Sequence, residues 1–332
     1  MNLARFPRFG FSAGTTPIEK LGNLSKILGG PTIYVKRDDI YGTISPGGNK
    51  TRKLEFLLGD AKAQGCDTII TCGAVQSNHC RLTIACSTKL GMDCHLVLEE
   101  RIPGGYSETA SGNNLHYQLL GAKSIEVVPG GTDLVAVMQD KADRLKSEGK
   151  TSYIIPTGGS TPVGALGYAA CAAEVMQQVF EMGIQLDNIV LTSGSAGTHS
   201  GFLTGMCAIN AGIPVTGISI SRKAEPQKAM VRELSAKTAK KIGSPEPREE
   251  DIIVYGDYFG AGYSLPTDGM VEAIKLLAKA EALILDPVYT GKTMSGLIDL
   301  VRKGVFKKGE NVLFIHTGGT TALYAFKEQL GL

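Results

Sequence analysis

Short apolar runs recur along the chain at intervals that leave room for a helix between successive runs. Thr32–Lys36, Thr68–Cys72, His95–Leu98, Ile125–Val128 and Tyr153–Pro156 are of this kind, followed by Asn188–Thr192, Val215–Ile220, Ile252–Tyr255 and Asn311–His316. Runs such as Ile189-Val190-Leu191 and Val312-Leu313-Phe314-Ile315 lack strict apolar–polar alternation, which fits strands covered on both faces. The stretches between them, for instance Gln76–Leu90, Asp133–Glu148, Pro162–Met182, His199–Ala211 and Pro226–Ile242, read as helices. Short strands separated by helices predict parallel βαβ units, so the fold class is α/β. Residues 237–251 are the most polar stretch and read as a solvated surface loop. No low-complexity linker or fixed-period repeat marks a domain boundary.

At 332 residues the chain suits two domains, and 43% hydrophobic residues suffice for sizeable cores. Lys plus Arg number 34 against 32 for Asp plus Glu, so the clustered basic excess of a nucleic-acid binder is missing. Trp is absent and aromatics are 6%, which also speaks against a base-stacking platform. Seven cysteines (66, 72, 80, 86, 94, 171 and 207) form no CxxC pair, a pattern of buried thiols in a reducing compartment. The five histidines are isolated, so no metal site is expected. No apolar run approaches the roughly 20 residues of a membrane helix. Pro7, Pro17 and the glycines among residues 1–18 spoil any amphipathic targeting helix, so this segment is read as part of the fold and the expected address is the cytoplasm.

The chemistry concentrates in a few loops. Gly47-Gly48-Asn49-Lys50-Thr51-Arg52-Lys53 delivers a lysine to a helix start, with two more cations beside it. Basic residues there have the wrong sign for the helix dipole, which makes sense if an anion binds nearby; an ordinary exposed basic turn is the bland alternative. A lysine near other cations, or partly desolvated, holds enough free amine to attack a carbonyl. Ser193-Gly194-Ser195-Ala196-Gly197-Thr198-His199 follows a predicted strand and opens a helix, so its amides and hydroxyls suit a phosphate. It matches neither GxGxxG nor GxxxxGK[ST]. Gln76-Ser77-Asn78-His79 opens another helix, where Ser77 or Asn78 is either an N-cap or part of a carboxylate site. Tyr263 and Tyr289 sit in polar-aromatic loops, and His316 reads as a core histidine.

Taken together, Arg5–Arg8, Pro17–Glu19, Lys36–Asp39, Gly47–Glu55, Gln76–His79, Gly164–Tyr168, Ser193–His199, Asp286–Lys292 and His316–Gly319 resemble the D-cysteine desulfhydrase and 1-aminocyclopropane-1-carboxylate deaminase family. That family belongs to the fold type II, tryptophan-synthase-β-like enzymes that use pyridoxal 5'-phosphate. The resemblance implies two open, twisted, mainly parallel sheets flanked by helices. It divides the chain into a small domain of residues 49–160 and a large cofactor-binding domain of residues 1–48 and 161–332, with the cofactor between them. By the same resemblance Lys50 carries the cofactor and removes the substrate Cα proton. Lys53, Ser195, Ala196, Gly197 and Thr198 bind its phosphate, and Asn78 its phenolic oxygen. Ser77, Asn78 and His79 hold the substrate carboxylate, Ser77 also joins proton transfer, and Tyr263 and Tyr289 line the substrate side. A homodimer is implied as well.

Within the family, ring-opening deaminases carry glutamate and leucine where this chain has Thr290 and Thr317, whereas enzymes acting on D-cysteine carry hydroxyl residues at both. A neutral hydroxyl at the pyridine nitrogen leaves a weaker electron sink, sufficient to expel a good leaving group. The reaction implied is α,β-elimination of D-cysteine to pyruvate, ammonia and hydrogen sulfide. The alternatives are an L-cysteate sulfo-lyase using Arg81, His79 or His199 for the sulfonate, a cyclopropane deaminase, and a non-catalytic carrier of the cofactor. Which of Thr290 and Thr317 meets the ring nitrogen is left open.

Overall fold

The computed structural model describes residues 1–12, 14–44, 46–102 and 104–331. In chain order the elements are β1 (Ile18–Lys20), α1 (Gly22–Leu28), β2 (Thr32–Lys36), α2 (Asn49–Ala63), β3 (Thr68–Ala74), α3 (Asn78–Lys89), β4 (Asp93–Glu100), α4 (Asn113–Leu119), β5 (Ser124–Pro129) and α5 (Leu134–Ser147). They continue as β6 (Ser152–Ile155), α6 (Pro162–Glu181), β7 (Asn188–Ser193), α7 (Gly197–Ala208), β8 (Val215–Ser219), α8 (Ala224–Ile242), β9 (Ile253–Tyr255), α9 (Asp268–Glu281), α10 (Thr290–Arg302) and β10 (Asn311–Ile315).

The strands form two sheets. One has the order β1-β2-β10-β7-β8-β9 and is parallel except for the β1–β2 pair; the other is β5-β4-β3-β6, parallel throughout. Both faces of the larger sheet are covered, which explains the unalternating apolar runs. On β10, Val312 and Phe314 enter one core with Ile33, Val35 and Leu297, while Leu313 and Ile315 enter another with Tyr168 and Phe202. The smaller sheet repeats the arrangement, with Ile69 packed toward Leu57 and Leu82 and Ile70 toward Met138 and Leu145.

Two readings of the sequence are corrected. Residues 237–242, read both as the end of the helix Pro226–Ile242 and as part of a solvated loop, belong to α8, because Thr238, Ala239 and Ile242 are buried at helical spacing while the lysines between them stay outside; only from Gly243, in the left-handed conformation (φ 78°), does the loop begin. The three-residue β1 was not expected, since Ile18-Glu19-Lys20 carries no run long enough to signal a strand. A smaller difference matters for function: α7 begins at Gly197, two residues before the predicted start, so Gly197 and Thr198 supply its first amides.

Candidate active site

The loops after β3, β6, β7 and β10 and the starts of α2, α3, α7 and α10 converge at the carboxyl ends of the strands, where open α/β sheets bind ligands. Gly48 (φ 146°) pairs with Gly318, and the Asn49 amide donates to the Thr317 carbonyl (3.1 Å). This contact needs two glycines: a Cβ on Gly318 would lie 3.1 Å from the Gly48 Cα. The end of β10 thereby fixes the start of α2.

Lys50 lines the cleft, its Nζ 5.6 Å from the centroid of the Tyr289 ring and donating to Asn49 Oδ1 (3.2 Å). Burial lowers its pKa to about 8, with the Asp286 charge pulling the other way. At neutral pH roughly a tenth of such a group is free amine, far more than for a surface lysine. Trace acetylation of the cofactor-free protein should therefore label Lys50 half-maximally near pH 8. Exposed lysines should follow only above about 10. Labelling of Lys50 together with the surface lysines would show that burial leaves it unperturbed.

Arg52 does not join the cleft. Its guanidinium donates to Asp38 (2.7 and 2.8 Å) and Glu174 (2.8 and 3.0 Å), on the side where α2 packs against α6. The expectation of three cations around one anion is thus corrected to two. The helix itself gives the reason: residues i and i+2 point to nearly opposite sides, whereas i and i+3 share one.

Lys53 is that second cation. It is buried, and among the described residues its Nζ has one hydrogen-bond acceptor, the Gly158 carbonyl (3.1 Å). Burial, and then the charge of Lys50, hold its pKa well below the ordinary value. A buried amine with donors to spare calls for an anion. The loop 195–198 lies beside it. Ser160 donates to the Ser195 hydroxyl (2.8 Å), the Gly197 amide reaches Ser160 Oγ (3.3 Å), and Asn49 donates to the Thr198 hydroxyl (3.1 Å). Ala196 stands at φ 66° and offers no side chain to cap α7; the Gly197 amide turns back to the Ser195 carbonyl (2.9 Å), and the amides of Thr198 and His199 behind it are left uncapped. A Cβ on Gly197 would meet Ser160 Oγ at 2.6 Å and Lys53 Nζ at 2.9 Å, so the cradle has room for a backbone only.

Ser77 caps α3 by accepting from the Cys80 amide (3.1 Å), so the capping reading and a place in the cleft both hold. Asn78 is oriented by a relay that its motif did not reveal. Arg81 Nε donates to Asn113 Oδ1 (2.9 Å) and Asn113 Nδ2 donates to Asn78 Oδ1 (2.9 Å). The Asn78 amide nitrogen is thereby left facing the inner chamber beside Gly319. His79 is held neutral by burial and by the charges of Lys50 and Lys53. The Thr71 hydroxyl donates to the Ile155 carbonyl (2.8 Å) and so accepts from His79 Nε2 (2.8 Å), which makes the unpartnered Nδ1 an acceptor. Such a ring does not donate to a carboxylate, so the expectation that the His79 side chain helps hold one is not supported by its tautomer.

Tyr263 and Tyr289 hydrogen-bond to each other through their hydroxyls, and their rings meet edge-on with centroids 5.9 Å apart. Burial raises both phenols above their ordinary pKa, so both stay protonated and one proton of the pair remains free to point into the cleft. Thr290 and Thr317 separate clearly. The Thr290 hydroxyl donates to Asp286 Oδ1 (2.7 Å) and accepts from the Asp286 amide (2.8 Å), behind the wall. Thr317 lines the inner chamber. Asp286 caps the turn before α10 by accepting from the amides of Val288, Tyr289 and Thr290 (2.9, 2.9 and 2.7 Å). Buried Lys292 donates to the carbonyls of Phe259 and Gly262 (2.8 and 2.9 Å), pinning the loop that carries Tyr263. Arg101 and Arg222 line an outer chamber of about 310 Å³. Asn113, Arg101 and Arg222 lie outside every segment singled out in the sequence, and only the fold brings them here; Asp286 and Lys292 bound the segment Asp286–Lys292, where the expected roles fell on its tyrosine and threonine.

The sequence matches the model of the pyridoxal-phosphate dependent enzyme family over residues 11–318. It is 43% identical over 327 residues to a D-cysteine desulfhydrase of Salmonella paratyphi C, spanning 98% of each chain. It is 44% identical over the same length to one of Salmonella typhimurium, with the same coverage. A crystal structure of an ACC deaminase homologue superposes with a TM-score of 0.89 at 38% identity, covering 99% of this chain and 96% of the other. O-ureido-L-serine synthase shares the fold, with a TM-score of 0.66 at 18% identity over 95% of this chain and 93% of its own.

Proposed function

This chain belongs to the pyridoxal-phosphate dependent enzyme family, and from that premise we propose that it catalyses the α,β-elimination of D-cysteine to pyruvate, ammonia and hydrogen sulfide. The observation that carries the reading is the pairing, in one cleft, of a lysine with a lowered pKa and an uncapped, lysine-backed anion cradle. The residues fit the cofactor part by part. Lys50 suits its aldehyde, Lys53 and residues 195–198 its phosphate, and the Asn78 amide its phenolic oxygen. Thr317 rather than Thr290 suits the pyridine nitrogen, because the Thr290 hydroxyl is committed to Asp286. When bound, pyridoxal phosphate supplies an electron sink for negative charge at the substrate Cα.

The chain's own groups do the rest. Ser77, Asn78 and the amides of α3 hold the substrate carboxylate and fix which bond at Cα faces Lys50. Lys50 Nζ takes the Cα proton, acting as the general base. The electron pair of the Cβ–S bond leaves with sulfur, and the free proton of the Tyr263–Tyr289 pair lies where it can hydrogen-bond that sulfur. Neither phenol serves as the base, since both are held protonated. A hydroxyl at Thr317 leaves the ring nitrogen uncharged, which suits a thiolate leaving group and not the opening of a cyclopropane.

The proposed division into a small domain of residues 49–160 and a large one of residues 1–48 and 161–332 is supported by the sheets, since β3–β6 all fall within the former. A homodimer remains the family-based reading, and a single chain mass by light scattering would refute it. A cytoplasmic address is supported by seven free cysteines, six of them buried. Among the described residues no helix is long and apolar enough to cross a membrane.

The test is a panel of D-cysteine, L-cysteine, L-cysteate and 1-aminocyclopropane-1-carboxylate, scored for sulfide, sulfite, pyruvate and 2-oxobutyrate. Sulfide and pyruvate from D-cysteine in equal amounts are expected; 2-oxobutyrate as the main product would refute the assignment. Gly197→Ala should weaken cofactor binding by about tenfold or more, the scale of a lost charge-assisted hydrogen bond. Fluorescence titration measures this, and unchanged affinity would place the phosphate elsewhere.

A further inference from the structure

The outer chamber carries a charge pattern that a neutral thiol does not use. Lys50, Arg101 and Arg222 line it, and no aspartate or glutamate does. Arg222 reaches in from the loop after β8. Its side chain donates to the Ser221 hydroxyl (3.0 Å) and, at 3.4 Å, to the Gly194 carbonyl, and among the described residues it has no carboxylate partner. Arg101 follows β4 on the other sheet. Its Nε donates to Glu99 (2.6 Å), whose other oxygen accepts from the Gly131 amide (3.0 Å), and its guanidinium lies 4.4 Å from the centroid of the Tyr263 ring. Burial, and then the nearby charge of Arg101, weaken the hold of Arg222 on its proton. Two like charges from opposite sheets thus face one chamber that no carboxylate lines: Arg101 is held from behind at its Nε by Glu99, and Arg222 has no carboxylate partner among the described residues. The phosphate cradle at 195–198 has its own cation in Lys53, and the substrate carboxylate belongs at the start of α3. Neither accounts for this pair.

We infer that Arg101 and Arg222 form a subsite for an anionic group on the substrate β-carbon. The chamber then takes α-amino acids with a second negative charge, and for D-cysteine, which enters as the neutral thiol, the same pair receives the HS− that forms as the Cβ–S bond breaks. Guanidinium forks match oxyanions by paired donors, so a β-carboxylate, sulfinate or sulfonate fits the same place. This inference rests on the proposed lyase reading only for the orientation of Cβ toward the outer chamber.

A matched pair of ligands tests it. Aspartate and asparagine have the same size and shape, differ by one charge and lack a β leaving group. Their dissociation constants for the holoenzyme, each enantiomer measured separately, are read from the change in cofactor absorbance. Aspartate of the preferred hand should bind roughly tenfold more tightly than asparagine or better, the scale of one hydrogen bond to a charged group. The ratio should fall with added salt and collapse toward one in Arg101→Gln/Arg222→Gln. Arg222→Lys, which keeps the charge, should retain part of it. A ratio near one in the unaltered protein, or one that survives the double substitution, overturns the subsite. So does Arg222→Gln weakening cofactor affinity while leaving the ratio intact, since that would assign Arg222 to the phosphate. The lyase reading fails by a different result, no sulfide from D-cysteine, which leaves the ratio untouched.

Discussion

Replacing Lys50 with alanine is expected to reduce sulfide release from D-cysteine by about a thousandfold or more, the scale of losing a positioned base together with the covalent hold on the cofactor. Lys50 stands at the first turn of α2, locked by the Gly48–Gly318 contact, with its amine made available by burial. No other group in the cleft replaces it. His79 is neutral and its free nitrogen is hydrogen-bonded to nothing that would orient it toward Cα, and both tyrosines are held protonated. Alanine suits a helix start and removes an unfavourably buried amine, so the variant should fold. Circular dichroism checks the fold and a sulfide assay the activity. A loss of less than about tenfold would mean that another group takes the Cα proton.

The second large effect concerns stability. Arg52→Met is expected to cost about 3–5 kcal/mol at neutral pH, because it strands the Asp38 carboxylate in the interior. Asp38 is fully buried, and Arg52 grips it through two hydrogen bonds while bridging to Glu174, which also pairs with Lys36 (2.5 Å). Burial alone would raise the Asp38 pKa; the charges of Arg52 and Lys36 outweigh it and hold the carboxyl below its ordinary range. A carboxyl depressed in the folded state contributes stability above its unfolded pKa of about 4, and this contribution is lost as pH falls through the depressed value. The difference between Arg52→Met and the parent protein should therefore be larger at pH 7 than at pH 3, shrinking as Asp38 takes up a proton, first in the variant, where burial is less opposed, and last in the parent. Urea unfolding at the two pH values measures it. A difference below about 1 kcal/mol at pH 7 would show that the network contributes little. Lysine at position 52 should not rescue the fold, since a single ammonium cannot reproduce the forked contact to Asp38 and Glu174.

Much of this architecture was legible in the chain because the inner strands β7 and β10 of the larger sheet are buried on both faces and announce themselves as apolar runs. The glycine-flanked loops were legible for a related reason: backbone must approach ligand or backbone closely there, and at Gly197 and Gly318 nothing larger fits. Three kinds of feature were not. A strand of three residues such as β1 has no pattern to read. The face of a helix is hidden by adjacency in sequence, so Arg52 looked like a partner of Lys50 although the helical twist turns it toward Asp38. Groups joined only by the fold leave no motif. Asn113 of α4 links Arg81 and Asn78 of α3 in one hydrogen-bonded relay, and Arg101 meets Arg222 across more than a hundred residues.

Lys292 makes the central assignment open to a sharp test, because it too is a lysine near the cleft whose pKa burial lowers to about 8. The two differ in commitment: Lys292 is tied to two carbonyls, while Lys50 faces the chamber. Borohydride reduction of the holoenzyme, followed by trypsin digestion and mass spectrometry, decides between them. The account predicts the pyridoxyl group on Lys50, recovered in an uncut peptide running from Asp38 to Arg52. Its recovery on Lys292, on Lys53 or on no lysine at all would contradict the account at its root.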